Sequence, residues 1–282
     1  MRHLVQSSVN HQSDHPATIQ IARAKTPRVT AKWDPAKAPP LLEIGPESCQ
    51  LHLLGGFELL VGQHMVSLTS GMKRLLALLA LRRKGVTRGY MAGVLWGDVS
   101  EARAQGSLRS NLSKLRGTGL DLIETSGDTL ELASNIYVDL YEATRAANAI
   151  IDSDQNSEIF NDGRLLLQPH MNSELLPGWY DEWVLPDREW HRQLTLHALE
   201  QLCESLTTEQ RYATAVMAGL AAIDQEPLRE SAHRVLIKAH LAEENTGEAL
   251  RCYNRYKGLA ATELGLDPSP SMKALLSGVG GL

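Results

Sequence analysis

EARAQGSLRSNLSKLR, residues 101–116, has the spacing of a helix with two chemically different sides. At 3.6 residues per turn, Ala104, Leu108, Leu112 and Leu115 fall on one side, where they are expected to pack. Arg103, Gly106, Ser110, Ser113 and Gly117 fall opposite, flanked by Arg109 and Lys114. A helix that is merely solvated usually pairs Glu with Lys one turn away. From Ala102 to Arg116 there is no acid at all. Small hydroxyls bounded by Arg and Lys suit a helix lying close in a major groove. Guanidinium groups there reach guanine edges, and Ser and Lys reach bases or phosphates.

The flanking stretches agree with that reading. Upstream, Met72, Leu75, Leu76 and Leu79 form an apolar stripe, which predicts a helix over 72–83 that ends at Gly85. Thr87 is placed to cap a second helix, Arg88 to Trp96, stopped by Gly97-Asp98. Trp96 closes that helix and is expected in the core. Earlier still, Gln50–Leu54, Phe57–Val61 and Met65–Leu68 read as short strands separated by glycine turns. Downstream, Leu120–Thr125 and Thr129–Leu132 flank Ser126-Gly127-Asp128, a hairpin of the size of a wing. A small sheet, three helices and a hairpin, in that order, make a winged helix-turn-helix. Arg82, Arg83 and Arg88 cluster around the first turn, with Lys84 beside them, where they can hold phosphates or simply solvate a helix end.

Residues 1–48 are rich in proline and lack an apolar period, which predicts a disordered tail. The winged helix is assigned to 49–139 and an all-α domain to 140–282, so the fold class is mainly α with a small β component. A helix is expected over Asp139–Ile151, a polar loop over Ser153–Ser157, a break at Leu176–Tyr180 and helices from about 187 onward. Leu202, Leu206, Ala215 and Gly219 map onto Leu236, His240, Ala249 and Tyr253 at an offset of 34, the period of tetratricopeptide-like helix pairs.

The formal charge is −5, but it is unevenly spread. Residues 72–116 hold ten basic and two acidic side chains, whereas 141–282 carry a net −9. A focused basic patch on an acidic chain is the footprint of a DNA reader. The three cysteines form no C-x-x-C pair, so neither a zinc site nor a disulfide framework is expected, and Cys203 and Cys252 read as small core residues. There is no phosphate loop, no H-E-x-x-H and no apolar run long enough to span a bilayer. The acids Asp181, Glu182, Asp187 and Glu189 read as a solvated helix start. No catalytic residue, cofactor or metal is expected, and the chain is expected in the cytoplasm.

Leu75–Ala80 followed by Val94-Leu95-Trp96-Gly97-Asp98, and then Ser107–Arg116, resemble the helices of the Streptomyces antibiotic regulatory protein family. Leu176-Pro177-Gly178-Trp179-Tyr180-Asp181-Glu182-Trp183-Val184 and Glu263-Leu264-Gly265-Leu266-Asp267-Pro268-Ser269-Pro270 resemble the entry and end of that family's bacterial transcriptional activator domain. The resemblance covers about 50–279 and implies a small family member with an OmpR-like winged helix. It implies an activator that binds direct repeats on double-stranded DNA as a homodimer and recruits RNA polymerase holoenzyme. A repressor of the same fold, or a helical-repeat scaffold without DNA binding, would share these motifs. Residues 1–48 match nothing in the family.

Overall fold

The computed structural model describes residues 48–152, 159–168 and 170–277. The tail expected at 1–48, apart from Ser48, and the polar loop expected at 153–157 lie outside the described residues. The first strands are β1 (Cys49–His52), β2 (Glu58–Val61) and β3 (His64–Met65). β1 and β2 pair antiparallel with Leu51 opposite Leu59, and both side chains are buried. The glycine turn between them is required by its backbone, since Gly55 has φ 75°, where a side chain is strained.

Sequence periodicity did not reveal β7 (Tyr137–Val138), which adds in parallel to β1 and gives the order β3-β2-β1-β7. It leads directly into α4 (Asp139–Asp152). The Asp139 carboxylate is fully buried and accepts from the backbone amides of Leu53 at 2.9 Å, Leu54 at 3.1 Å and Leu140 at 2.7 Å. The start of one helix thus satisfies the amides at the end of the first strand, 86 residues away in sequence. Burial pushes the Asp139 carboxyl upward, against these amides and the nearby His52.

α1 (Ser70–Arg82), α2 (Arg88–Leu95) and α3 (Glu101–Arg116) form the three-helix core. Leu75, Leu76, Met91, Leu95, Ala104, Leu108, Leu112 and Leu115 are all buried in it, and half-buried Trp96 packs against it. Thr87 caps α2 as expected, its hydroxyl accepting from the Tyr90 amide at 3.3 Å. The wing is β5 (Ile123–Ser126) and β6 (Thr129–Leu132), turned at Gly127 with φ 58°. A two-residue strand, β4 (Val86–Thr87), extends it to the order β4-β6-β5. Gly85 precedes β4 because nothing larger fits: a Cβ there would lie 2.2 Å from Thr129 Cγ2.

The chain from Met171 to Val184 is non-helical and returns to the first core. Met171, Leu175, Leu176 and Val184 are buried in the same cluster as Leu51 and Leu75. Gly55 donates its amide to the Glu174 carbonyl at 2.9 Å, and Leu176 donates to the Leu53 carbonyl at 2.8 Å. Arg188 fastens this segment, donating to the carbonyls of Leu175 at 2.8 Å, Leu176 and Trp179 at 2.8 Å.

After α5 (Ile159–Leu166) come α6 (Leu185–Thr208), α7 (Tyr212–Gln225), α8 (Glu230–Ala242) and α9 (Thr246–Leu264). The two pairs α6–α7 and α8–α9 realise the repeat at offset 34. Ala215 and Ala249 sit fully buried at equivalent places. At Gly219 a Cβ would lie 3.1 Å from Leu236 Cβ, so the crossing needs a small residue. Cys203 is buried nearby, its thiol pushed up to about 12 chiefly by burial. Gly265, at φ 64°, ends α9, and Ser269 caps the short α10 (Pro270–Ala274).

Candidate nucleic-acid interface

α3 is amphipathic in the way its sequence implies. Its apolar stripe is buried, and Arg103, Arg109, Ser110, Ser113, Lys114 and Arg116 are exposed on the outer side. Among the described residues none of these four basic side chains enters an ion pair. Glu101, in the first turn, is the helix's sole acid. Lys114 and Arg116 lie in the last turn, where cations complement the helix dipole. The result is a run of cationic and hydroxyl groups that, among the described residues, no partner holds to the protein.

Asn111 is not part of that face. Its Nδ2 donates to the Ser107 carbonyl at 2.9 Å, and its side chain fills the space above Gly71, where a Cβ would approach within 2.5 Å. Asn111 therefore works in the α1–α3 contact. At the root of the wing, the Arg88 amide donates to the Asp128 carbonyl at 3.0 Å, which ties the start of α2 to the hairpin turn. The Arg88 side chain is half-buried, Lys84 and the turn residues 126–128 are exposed, and Tyr90 is 40% exposed.

Arg82 and Arg83 differ from the α3 set. Arg82 Nη1 donates to Asp187 Oδ2 at 2.8 Å and its Nη2 to the Trp183 carbonyl at 3.4 Å. Burial works against the Arg82 charge, but Asp187 holds its pKa above the ordinary value. Burial in turn lifts Asp187 despite the neighbouring guanidinium, as expected of a partly desolvated pair. The Arg83 guanidinium stacks over Tyr141, and burial lowers its pKa. Arg74 pairs with Asp181 in the same way, two turns earlier on α1. The reading of Asp181 and Asp187 as a solvated helix start is therefore corrected: both bind arginines of α1. Sequence could not reveal this, since the partners lie 107 and 105 residues apart.

Among the described residues no group of three or more His, Cys, Asp or Glu could hold a metal ion. No helix of the described residues is long and apolar enough to cross a membrane. The description of the bacterial transcriptional activator domain matches residues 135–279, more than half of the chain. The chain belongs to the bacterial transcriptional activator domain family. It is thus a member of a family of transcription regulators and not of an enzyme family.

The family match begins at Asn135, so β7 and Asp139, which close the N-terminal sheet, already lie within it. The chain is also similar to the regulatory protein AfsR of Streptomyces coelicolor, with 27% identity over 76% of this chain and 22% of that protein. AfsR of Streptomyces griseus is 27% identical over 90% of this chain and 26% of that protein. The chain spans about a quarter of the length of these curated relatives. These matches agree with the resemblance to the Streptomyces antibiotic regulatory proteins. In fold, the chain is similar to EmbR of Mycobacterium tuberculosis, solved in complex with a low-affinity phosphopeptide. The TM-score is 0.63 at 24% identity, covering 81% of this chain and 64% of that one.

Proposed function

We propose that this member of the bacterial transcriptional activator domain family is a sequence-specific DNA-binding regulator that activates transcription. The observation that carries the reading is the outer face of α3, with exposed Arg103, Arg109, Ser110, Ser113 and Lys114 and, among the described residues, no acid paired with them. In this reading α3 enters the major groove and Arg109 and Arg103 read base edges. Ser110, Ser113 and Lys114 contact bases or phosphates, and Arg88 anchors a phosphate at the wing root. The reader is 49–139. The acidic helical part, 140–282, faces away from DNA, where its charge would be repelled, and contacts RNA polymerase. A homodimer on direct repeats and action in the cytoplasm complete the proposal.

The test is binding of the full chain to genomic fragments, followed by footprinting of the strongest site and titration with salt. The expected result is a protected direct repeat, with an affinity that falls linearly on a log–log plot as salt rises. Absence of salt-sensitive DNA binding would overturn this reading and favour a helical-repeat scaffold.

A further inference from the structure

We propose that Asp181 and Asp187 are positioning residues that fix the orientation of α3 relative to the helical repeats by gripping α1 at two points. Arg74 and Arg82 are eight residues apart on α1, about 12 Å along the axis at 1.5 Å per residue. Each meets a carboxylate from the 181–187 segment. One pair fixes a single point on the helix, whereas two pairs separated along the axis also fix its direction, on top of the shared core of α1 with Leu175, Leu176 and Val184. Between them, the Tyr141 hydroxyl of α4 donates to the Ala80 carbonyl at 2.8 Å.

The grip is anchored on the far side. Val184 is fully buried, and Arg188 holds the carbonyls of Leu175, Leu176 and Trp179, so the two aspartates are presented from a fixed segment. It is also transmitted onward. α1 packs on α3 so closely that Gly71 leaves room only for the Asn111 side chain. Partly desolvated ion pairs add little net stability, but removing one partner leaves the other charge uncompensated. Arg82 therefore acts inside the protein and not as a phosphate anchor. The consequence for DNA rests on the proposed function: a fixed α3 angle restricts which half-site spacings two protomers can occupy.

The test compares the full wild-type chain with Asp181→Asn/Asp187→Asn and with the charge swap Arg82→Asp/Asp187→Arg. Spin labels on unnatural side chains at exposed Asp121 and Asn254 report the angle between reader and repeats without DNA. A narrow distance distribution is expected in the wild type, a broad one in the double Asn variant and a narrow one again in the swap. On DNA, the double Asn variant should keep single-site affinity within twofold. It should also lose at least tenfold of its discrimination between the native repeat and one shifted by half a helical turn. An unchanged distance distribution in the double Asn variant would overturn the proposal whether or not the chain binds DNA. So would Asp187→Ala raising single-site affinity while Arg82→Ala lowers it and flattens the salt slope, since Arg82 would then be a phosphate anchor. A wild type that binds no DNA would sink the functional reading alone and leave the distance experiment to judge the grip.

Discussion

The guanidinium of Arg83 lies 4.0 Å from the centroid of the Tyr141 ring. Arg83 is the left-handed cap of α1, at φ 49°, and Tyr141 lies in the first turn of α4. The contact holds the end of α1 against the start of α4. Tyr141→Leu should destabilise the chain by about 2 kcal/mol, since it loses both the stack and the hydroxyl bond. Tyr141→Phe keeps the ring and should cost about 1 kcal/mol. Denaturant midpoints at constant slope measure both.

Arg109→Ala should weaken binding to the specific site by about 1–3 kcal/mol and relax base preference at one position. Lys114→Ala should weaken binding uniformly across sequences and reduce the salt slope by about one. Both side chains are exposed, so circular dichroism and thermal midpoints should not move. Equal loss on specific and random DNA for Arg109→Ala would reassign that residue to phosphate contact.

His191 of α6 is buried, and its pKa is lowered from 6.5 to about 4, chiefly by burial, with the Ser173 backbone acting the other way. Between these two values the unfolded chain binds a proton that the folded chain does not. Stability should therefore be full above pH 6.5 and fall as the pH drops toward 4, by roughly 3 kcal/mol at most. His191→Gln should lose this part of the pH dependence. Identical pH profiles for the two proteins in urea titrations would refute the assignment.

Gly85→Ala should destabilise the wing, because the new Cβ would meet Thr129 Cγ2 at 2.2 Å and Glu131 Oε1 at 2.3 Å. A cost of about 1–3 kcal/mol is expected for such overpacking. Adding Thr129→Ser removes the nearer obstacle and should recover part of the loss, measured as the coupling in a double-mutant cycle.

Much of this protein was legible as local pattern. The two sides of α3 follow from helical period alone, since Leu108 and Leu112 must fall on the side opposite Ser110 and Ser113. Thr87 as cap, Gly127 as wing turn and the spacing of Ala215 and Ala249 are equally local signals: each depends on a few neighbouring residues and the geometry of one element. β4 and β7 escaped that reading because a two-residue strand exists only through the partner it pairs with. Nor does any local pattern distinguish Arg82 from Arg109, since both are arginines on amphipathic helices in a basic stretch. Sequence by itself determined the amphipathic helices, their caps and turns, and where the positive charge is concentrated. Only the tertiary structure decided which of those charges stay unpaired, because the carboxylates that occupy Arg74 and Arg82 arrive from more than a hundred residues away, and chain folding alone brings them within ion-pair distance.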